Sequence, residues 1–417
     1  MSLINLAFGS LLSRWITVSL TIFAVAMSVA LFLGVEKVRT GAKASFADTI
    51  SDTDLIVGAR SGSVQLLLYS VFRIGNATNN VTWESYQDII ARPEVDWAVP
   101  ISLGDSHRQF RVMGTTAEYF DRYKYRGGRA LEFAGGTRFE DLFDAVIGAD
   151  VAEELGYALG DPIIVSHGIA SFTEHDQLPF KISGILEKTG TPVDRTVTVS
   201  LEGLEAIHVD WRNGAKIPGQ STPADTLRNM NLEPEAVTAA LIGVKSKLRV
   251  FQLQRAINDY NQEPLLAVLP GVALAELWQI VGVAETALIG VSALVVATAL
   301  LGMAAMIFSG LNERRREMAI FRAMGARPTT IMGLLMLEAT LMAAIGALVG
   351  VIMLFAALAV ARPYIDAEFG LFLPIEFLTP RELWVLGAVV VAGSLASLFP
   401  AWRAYRLSLA DGMTVRI

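Results

Sequence analysis

The sequence predicts an α-helical membrane protein with four transmembrane helices, plus an α+β extracytoplasmic domain between helices 1 and 2. Three observations predict it. Of 417 residues, 53% are hydrophobic and only 18% charged, against about 25% charged in ordinary soluble domains. The mean hydropathy is +0.46, and the apolar residues gather in uncharged runs at 15–35, 286–311, 339–361 and 383–402. Each run is long enough to cross about 30 Å of hydrocarbon at 1.5 Å per helical residue. Between the first and second runs lies a long segment rich in charge and in Gly, Pro, Asn and Asp, which holds all four histidines.

Charge and cysteine content exclude whole function classes. With 34 basic and 41 acidic residues the net charge is -7, which is too acidic for a phosphate-neutralising, nucleic-acid-binding surface. No cysteine is present, so disulfides, thiolate nucleophiles, Cys-ligated zinc and iron–sulfur clusters are all out of reach.

Taken in order, residues 1–36 read as an N-terminal segment and the first transmembrane helix. Its uncharged run exceeds the roughly 7 to 15 apolar residues of a signal-peptide core, so an uncleaved anchor is expected. Residues 37–278 read as the extracytoplasmic domain. Strand 54–58, helix 83–91 capped by Thr82, and strands 97–103 and 109–114 open it. A second set follows, with strand 145–148, helix 150–155, a turn at Gly156 and Gly160, and strands 162–166, 180–186 and 195–200. Strands 237–244 and 265–269 flank a helix at 248–261. This order implies an α+β domain with a β-rich lobe threaded into it. Residues 271–285 read as a helical stalk running into the second span. The remaining segments are helix 2 at 279–311, a cytoplasmic loop at 312–328, helix 3 at 329–361, an outer loop at 362–382, helix 4 at 383–402 and a tail at 403–417.

Arginine placement orients the spans, because Lys and Arg in short loops are retained in the cytoplasm. Arg314, Arg315, Arg316, Arg322 and Arg327 follow helix 2, and Arg403, Arg406 and Arg416 follow helix 4. Both termini are therefore expected in the cytoplasm and the large domain outside. Lys37, Arg39 and Lys43 run against the bias, which a long translocated domain tolerates.

The segment 310–328 has helical periodicity. Leu311, Met318, Phe321 and Met324 fall on one broad face, with Glu313, Arg314, Arg315 and Arg316 toward its start. Gly325 suits the left-handed residue after a helix, and Pro328 the first turn of the next. Two readings stand: a juxtamembrane helix whose arginines hold topology, or a knob that docks into a cytoplasmic partner and turns its motion into helix motion.

The string Glu313-Arg-Arg-Arg-Glu-Met-Ala-Ile-Phe-Arg-Ala-Met-Gly-Ala326 resembles the loop of FtsX-like permeases, the MacB, LolC/LolE and FtsX group of ATP-binding-cassette (ABC) membrane subunits. The tail from Pro400 to Met413 is similar to the basic segment leaving that group's fourth helix. Val146-Ile-Gly-Ala-Asp-Val-Ala-Glu-Glu-Leu155 with Leu159-Gly-Asp-Pro-Ile163 resembles the MacB-type periplasmic core domain. The order of one span, a large domain and three spans is also the family's. The resemblance implies a multi-pass protein of the bacterial inner membrane with a periplasmic domain, and residues 279–417 as its FtsX-like permease domain. It implies a second permease protomer, identical or related, and a cytoplasmic ABC ATPase dimer that binds ATP and Mg. A periplasmic adaptor or lipoprotein and membrane lipid are further implied partners.

In that scheme Glu313, Arg314, Arg315, Arg316, Glu317, Met318, Phe321, Arg322, Met324 and Gly325 couple to the ATPase, and the chain itself is no enzyme. It has no Gly-Lys step, which a phosphate-cradling Walker A loop requires. The implied function is mechanotransmission that exports or extracts a periplasmic or membrane-associated substrate. The alternatives are a non-transporting regulator of a periplasmic partner and a metal-handling permease.

Three further sets of residues stand out. Glu338 in helix 3 is expected to face the helical bundle, since a carboxylate at membrane depth costs up to about 2.5 to 3.5 kcal/mol. Gly346 and Gly350 form a GxxxG that permits close helix approach, as a dimer contact or as packing. His167, Glu174, His175, Asp176 and His208 offer zinc-type ligands, but their spacing matches no metal motif, and solvated loop residues are the competing reading. No serine, histidine and acid share a nucleophile-elbow context. Trp15, Trp278 and Trp402 read as interface anchors.

Overall fold

A computed structural model describes residues 3–168, 175–212, 215–217, 219–313, 315–369 and 377–406. Among them are four helices long and apolar enough to cross a membrane, Trp15–Asp48, Pro270–Leu311, Pro328–Ile365 and Pro380–Arg406. The chain divides into two units, one at 1–41, 282–364 and 373–417 and the other at 42–281 with 365–372.

The described part of the first unit is helical. Val25, Val29 and Leu33 of the first spanning helix pack with Leu300, Met303 and Ile307 of the second, Leu335 and Met342 of the third and Val389 of the fourth. Leu20, Leu294, Leu348 and Val391 stay well exposed on the outer faces.

The helices overrun their uncharged stretches for identifiable reasons. The first runs to Asp48, well past residue 36, because its charges find partners. Arg39 pairs with Glu36 at 2.8 Å and Glu285 at 3.7 Å, and Lys37 pairs with Glu382 at 3.2 Å. The third helix, Pro328–Phe369, continues beyond 361 through Pro363, which has no N–H to give to the ladder. Helix 4 is two pieces, Pro380–Ala396 and Leu398–Arg406, rather than one. Pro400 has no N–H for the Ala396 carbonyl, so the ladder is interrupted there. A capping box at Thr379 and Glu382 fixes where the first piece begins.

The second unit is built on a ten-stranded sheet. Its strands are β1 (Leu55–Ala59), β2 (Val95–His107), β3 (Phe110–Thr115), β4 (Phe133–Gly136), β5 (Asp144–Ile147), β6 (Pro162–Ile163), β7 (Phe180–Leu186), β8 (Thr196–Ser200), β9 (Ala239–Val244) and β10 (Leu265–Val268). The order is β10-β1-β9-β2-β3-β8-β5-β7-β4, with β6 also on β7. Strands β3 and β8 pair in parallel, as do β5 and β7, and the other pairs are antiparallel. Within 116–235, strands β4 to β8 all belong to this same sheet.

Both faces of β1 are covered, so all five of its residues are buried. Ile56 packs with Leu67 and Tyr69 on one face, while Leu55 and Val57 meet Tyr86, Leu253 and Ile257 on the other. The Thr82 hydroxyl caps Trp83–Ile90 by accepting the Ser85 N–H. The helices Ser63–Ser70 and Leu201–His208 and the strand β4 are additions to the expected elements. Leu201–His208 follows directly on β8, where the Ser200 hydroxyl accepts the Gly203 N–H at 2.9 Å and turns strand into helix.

Candidate coupling helix and histidine cluster

The loop between the second and third spanning helices is itself a helix, Arg315–Ala323. A Schellman motif ends it: the Ala326 N–H donates to the Phe321 carbonyl at 2.9 Å and the Gly325 N–H to Arg322 at 3.0 Å. Gly325 has φ +94°, the left-handed conformation that glycine adopts without steric cost. Pro328 then opens the third spanning helix.

The helix has two faces. Met318 is 8% exposed and packs with Leu311, Ile307 and Ile331 in the bundle core. Arg316, Glu317, Ile320 and Met324 point outward. Met324 therefore departs from the expected apolar face, being 70% exposed. It is the residue at which the helix stops, and the turn at Gly325 carries it away from the stripe of Met318 and Leu311. Phe321 and Arg322 are half-buried. Arg314 lies outside the described residues, and the backbone alone places Glu313 and Arg315, at the end of one helix and the start of the next.

Within the bundle, Glu338 is 4% exposed and faces the interior. Gly346 and Gly350 lie against the first spanning helix of the same chain. A Cβ on Gly346 would come within 2.8 Å of Val25 Cγ1, and one on Gly350 within 2.6 Å of the Ala26 carbonyl oxygen. The GxxxG thus serves close packing inside one chain.

In the α+β unit, His167, His175 and His208 offer ring nitrogens that all lie within 4.8 Å of one another. Each is positioned by a different element. His167 follows the Ser106–Ser166 bridge, where the two backbones exchange hydrogen bonds of 3.0 and 2.8 Å. The His175 amide donates to the Val165 carbonyl at 2.9 Å. His208 ends the helix Leu201–His208, and its Nδ1 bonds the Leu204 carbonyl at 2.8 Å.

Asp105 completes the group, being 3% exposed with carboxylate oxygens 3.3 Å from His167 Nδ1 and 3.6 Å from His208 Nε2. Its strand shifts register between Leu103 and Ser106, and such a bulge re-aims side chains. The Asp105 carboxylate raises the pKa of His167. Burial, reinforced by His208, pushes that of His175 down to about 4. The fourth histidine stands apart, with Nδ1 of His107 on the Ile164 carbonyl and Nε2 on the Tyr157 hydroxyl. Glu174 lies outside the described residues and Asp176 is exposed. Trp278, read as an interface anchor, packs edge-on against Phe46 with Lys43 over its ring.

The profile of the MacB-like periplasmic core domain matches residues 18–260, and that of the FtsX-like permease C-terminal domain matches residues 289–409. The chain belongs to the MacB-type, FtsX-like family of ABC transporter permeases. Its α+β unit is the extracytoplasmic domain of a membrane protein. The permease is 24% identical over 425 residues to the macrolide export ATP-binding/permease protein MacB of Nitrobacter winogradskyi, covering 96% of this chain and 58% of that protein. It therefore spans little more than half the length of that relative, as its permease portion. Similar solved structures are the periplasmic region of MacB from Actinobacillus actinomycetemcomitans, at 10% identity and TM-score 0.34 over 55% of this chain and 94% of that one, and the extracellular domain of the noncanonic ABC-type transporter YknZ from Gram-positive bacteria, at 15% identity and TM-score 0.30 over 52% and 99%.

Two groups in the permease escaped the sequence reading. Asp105 carried no signal, because nothing in its strand marks the bulge that turns it toward the histidines. The helix that presents His208 had one, Ser200 followed by Leu201, Leu204 and Ile207 at helical spacing.

Proposed function

We propose that the permease is the membrane subunit of an ABC transporter, and that ATP hydrolysis by a separate ATPase moves its periplasmic domain to export or extract a periplasmic or membrane-associated substrate. The observation that carries this reading is the helix Arg315–Ala323. Its inner side is fixed in the bundle by Met318, and its outer side presents Arg316, Glu317, Ile320 and Met324. A helix held on one side transmits a push on the other to the two long helices it joins, without needing to deform. In this scheme Glu313, Arg314 and Arg315 lie at the ATPase contact as well, Gly325 sets the exit angle, and ATP and Mg are bound by the partner.

The reading places both termini in the cytoplasm and the protein in the bacterial inner membrane as a dimer with a second permease protomer. It takes 37–278 as the periplasmic part and 279–417 as the permease part. Arginines around the coupling helix and after the fourth span support that orientation.

The test is ATPase turnover of the permease co-reconstituted with its cognate ABC ATPase in proteoliposomes. Glu317→Lys and Ile320→Asp are expected to lower permease-dependent turnover at least about tenfold while leaving the membrane fold intact. Unchanged turnover in both variants would contradict the coupling role. Turnover without movement or release of any substrate would favour the regulator.

A further inference from the structure

We propose that His167, His175 and His208, with Asp105, form a binding site for one divalent transition-metal ion of the zinc class in the extracytoplasmic domain. Four ligands about 2.0 to 2.1 Å from a tetrahedral zinc lie roughly 3.3 Å from one another. His167 Nδ1 is 3.2 Å from His208 Nε2, and Asp105 oxygens are 3.3 and 3.6 Å from those two nitrogens. The His167 and His208 donors are thus already at ligand spacing, and Asp105 turns one oxygen toward each of them, Oδ1 to His167 and Oδ2 to His208.

The tautomers also fit. His208 Nδ1 donates to the Leu204 carbonyl, which leaves the Nε2 lone pair facing the cluster. A backbone carbonyl on the far nitrogen is the usual outer support of a metal-bound imidazole, fixing the ring and raising its basicity. His175 is only 4% exposed, yet among the described residues neither of its ring nitrogens has a hydrogen-bond partner of normal geometry. A buried imidazole in that state loses its hydration without replacement. Its ring lies 4.9 Å from that of His208 and 6.4 Å from that of His167, with Trp211 packed on it at 4.2 Å. A metal supplies the missing partner.

Charge agrees with geometry. Among the described residues, the basic side chains within ion-pair distance of the buried Asp105 carboxylate are the imidazoles His167 and His208. Three neutral imidazoles and one carboxylate give a dication a site of net charge near +1, in which the Asp105 charge is fully compensated. Three nitrogens and one oxygen select a borderline ion such as Zn2+ over the oxygen-seeking Mg2+ and Ca2+. His107, held by Ile164 and Tyr157, is excluded from the set. The site holds whether the chain transports or regulates, since it rests on the domain's own side chains.

The test uses the full permease in detergent, with Zn2+ alone titrated against a chromophoric chelator and the melting temperature measured with and without the ion. Wild type is expected to take up one Zn2+ per chain and to melt higher in its presence. His175→Ala and His208→Ala are expected to bind at least roughly 100-fold more weakly, and Asp105→Asn about 10- to 100-fold. His107→Gln is expected to bind as wild type does. His167→Ala guards against misfolding, because His167 is the most exposed of the three. It should keep the metal-free melting temperature and lose the zinc-induced rise. Absence of stoichiometric binding in wild type would overturn the proposal, as would equal affinity in the cluster variants or an undiminished zinc-induced rise in His167→Ala.

Discussion

Lys37 Nζ lies 3.2 Å from a carboxylate oxygen of Glu382, joining the first and fourth spanning helices where both side chains are nearly buried. Around them Glu36 takes Arg39 at 2.8 Å and Arg381 at 3.4 Å, and Arg39 reaches Glu285 at 3.7 Å. Three of the four spanning helices therefore meet in one ion-pair network. This network accounts for two of the basic residues that run against the charge bias of membrane topology, Lys37 and Arg39, since each has a carboxylate at hand.

Breaking that pair on one side should be worse than removing it. Glu382→Ala removes this carboxylate and leaves the Lys37 ammonium with the Phe377 carbonyl, 3.2 Å away, in a site that largely hides it, and should cost up to about 3 to 5 kcal/mol. Lys37→Met combined with Glu382→Leu should recover part of the loss. Thermal unfolding of the detergent-solubilised chain reads both, and a double variant less stable than either single one would refute the pairing.

Helix approach gives a second expectation. Gly350→Val puts a Cβ 2.6 Å from the Ala26 carbonyl oxygen and 2.9 Å from Val29 Cβ, and should cost about 1 to 3 kcal/mol through overpacking. Gly302→Ala meets nothing within 4 Å and should leave the melting temperature in place. Equal effects of the two would show that Gly350 does not pack as described.

A third concerns the extracytoplasmic domain. Gly148 precedes the helix Ala149–Leu155, and a Cβ there would lie 2.2 Å from the Val193 carbonyl oxygen and 2.3 Å from that of Asp194. Backbone cannot retreat as a flexible side chain does, so Gly148→Ala should abolish folding of the domain or lower its melting temperature sharply. Gly104→Ala, in open space, should be silent. Limited proteolysis distinguishes the two outcomes.

The turn held by Asp194 makes stability depend on pH. Its carboxylate is fully buried and accepts the Thr189 and Gly190 amides at 2.8 and 2.6 Å, yet burial, with Asp150 nearby, pushes its pKa from 3.8 up to about 6. Between those values the folded protein holds a proton that the unfolded chain has lost. The contribution is therefore fully present below about pH 4 and is lost as pH rises through about 6, on the order of 3 kcal/mol. Melting curves from pH 4 to 7 should show wild type losing stability relative to Asp194→Asn. A difference independent of pH would contradict this.

Much of this architecture was legible because the physics behind it is local. An uncharged run marks a span, Gly325 before Pro328 marks a turn, and Thr82 marks a helix start. What stayed hidden depends on distant partners. The first helix outruns its apolar stretch because Glu382 and Glu285, more than two hundred residues away, accept its basic side chains. The direction in which Gly346 and Gly350 face was unreadable from a four-residue spacing. The histidines could be named individually, but only the Ser106–Ser166 bridge, the helix ending at His208 and the bulge at Asp105 bring them together.

The central claim, that the outward side of the helix Arg315–Ala323 receives the push of an ABC ATPase, can be tested directly by crosslinking. The chain contains no cysteine, so Ile320→Cys, at a position 52% exposed, offers a single attachment point for a maleimide photocrosslinker. In proteoliposomes with the cognate ATPase turning over, the account predicts a light-dependent adduct between this position and the ATPase. It predicts none from Leu248→Cys in the extracytoplasmic domain, at a position 92% exposed. An active complex in which Ile320→Cys gives no ATPase adduct, or in which both positions react alike, would contradict it.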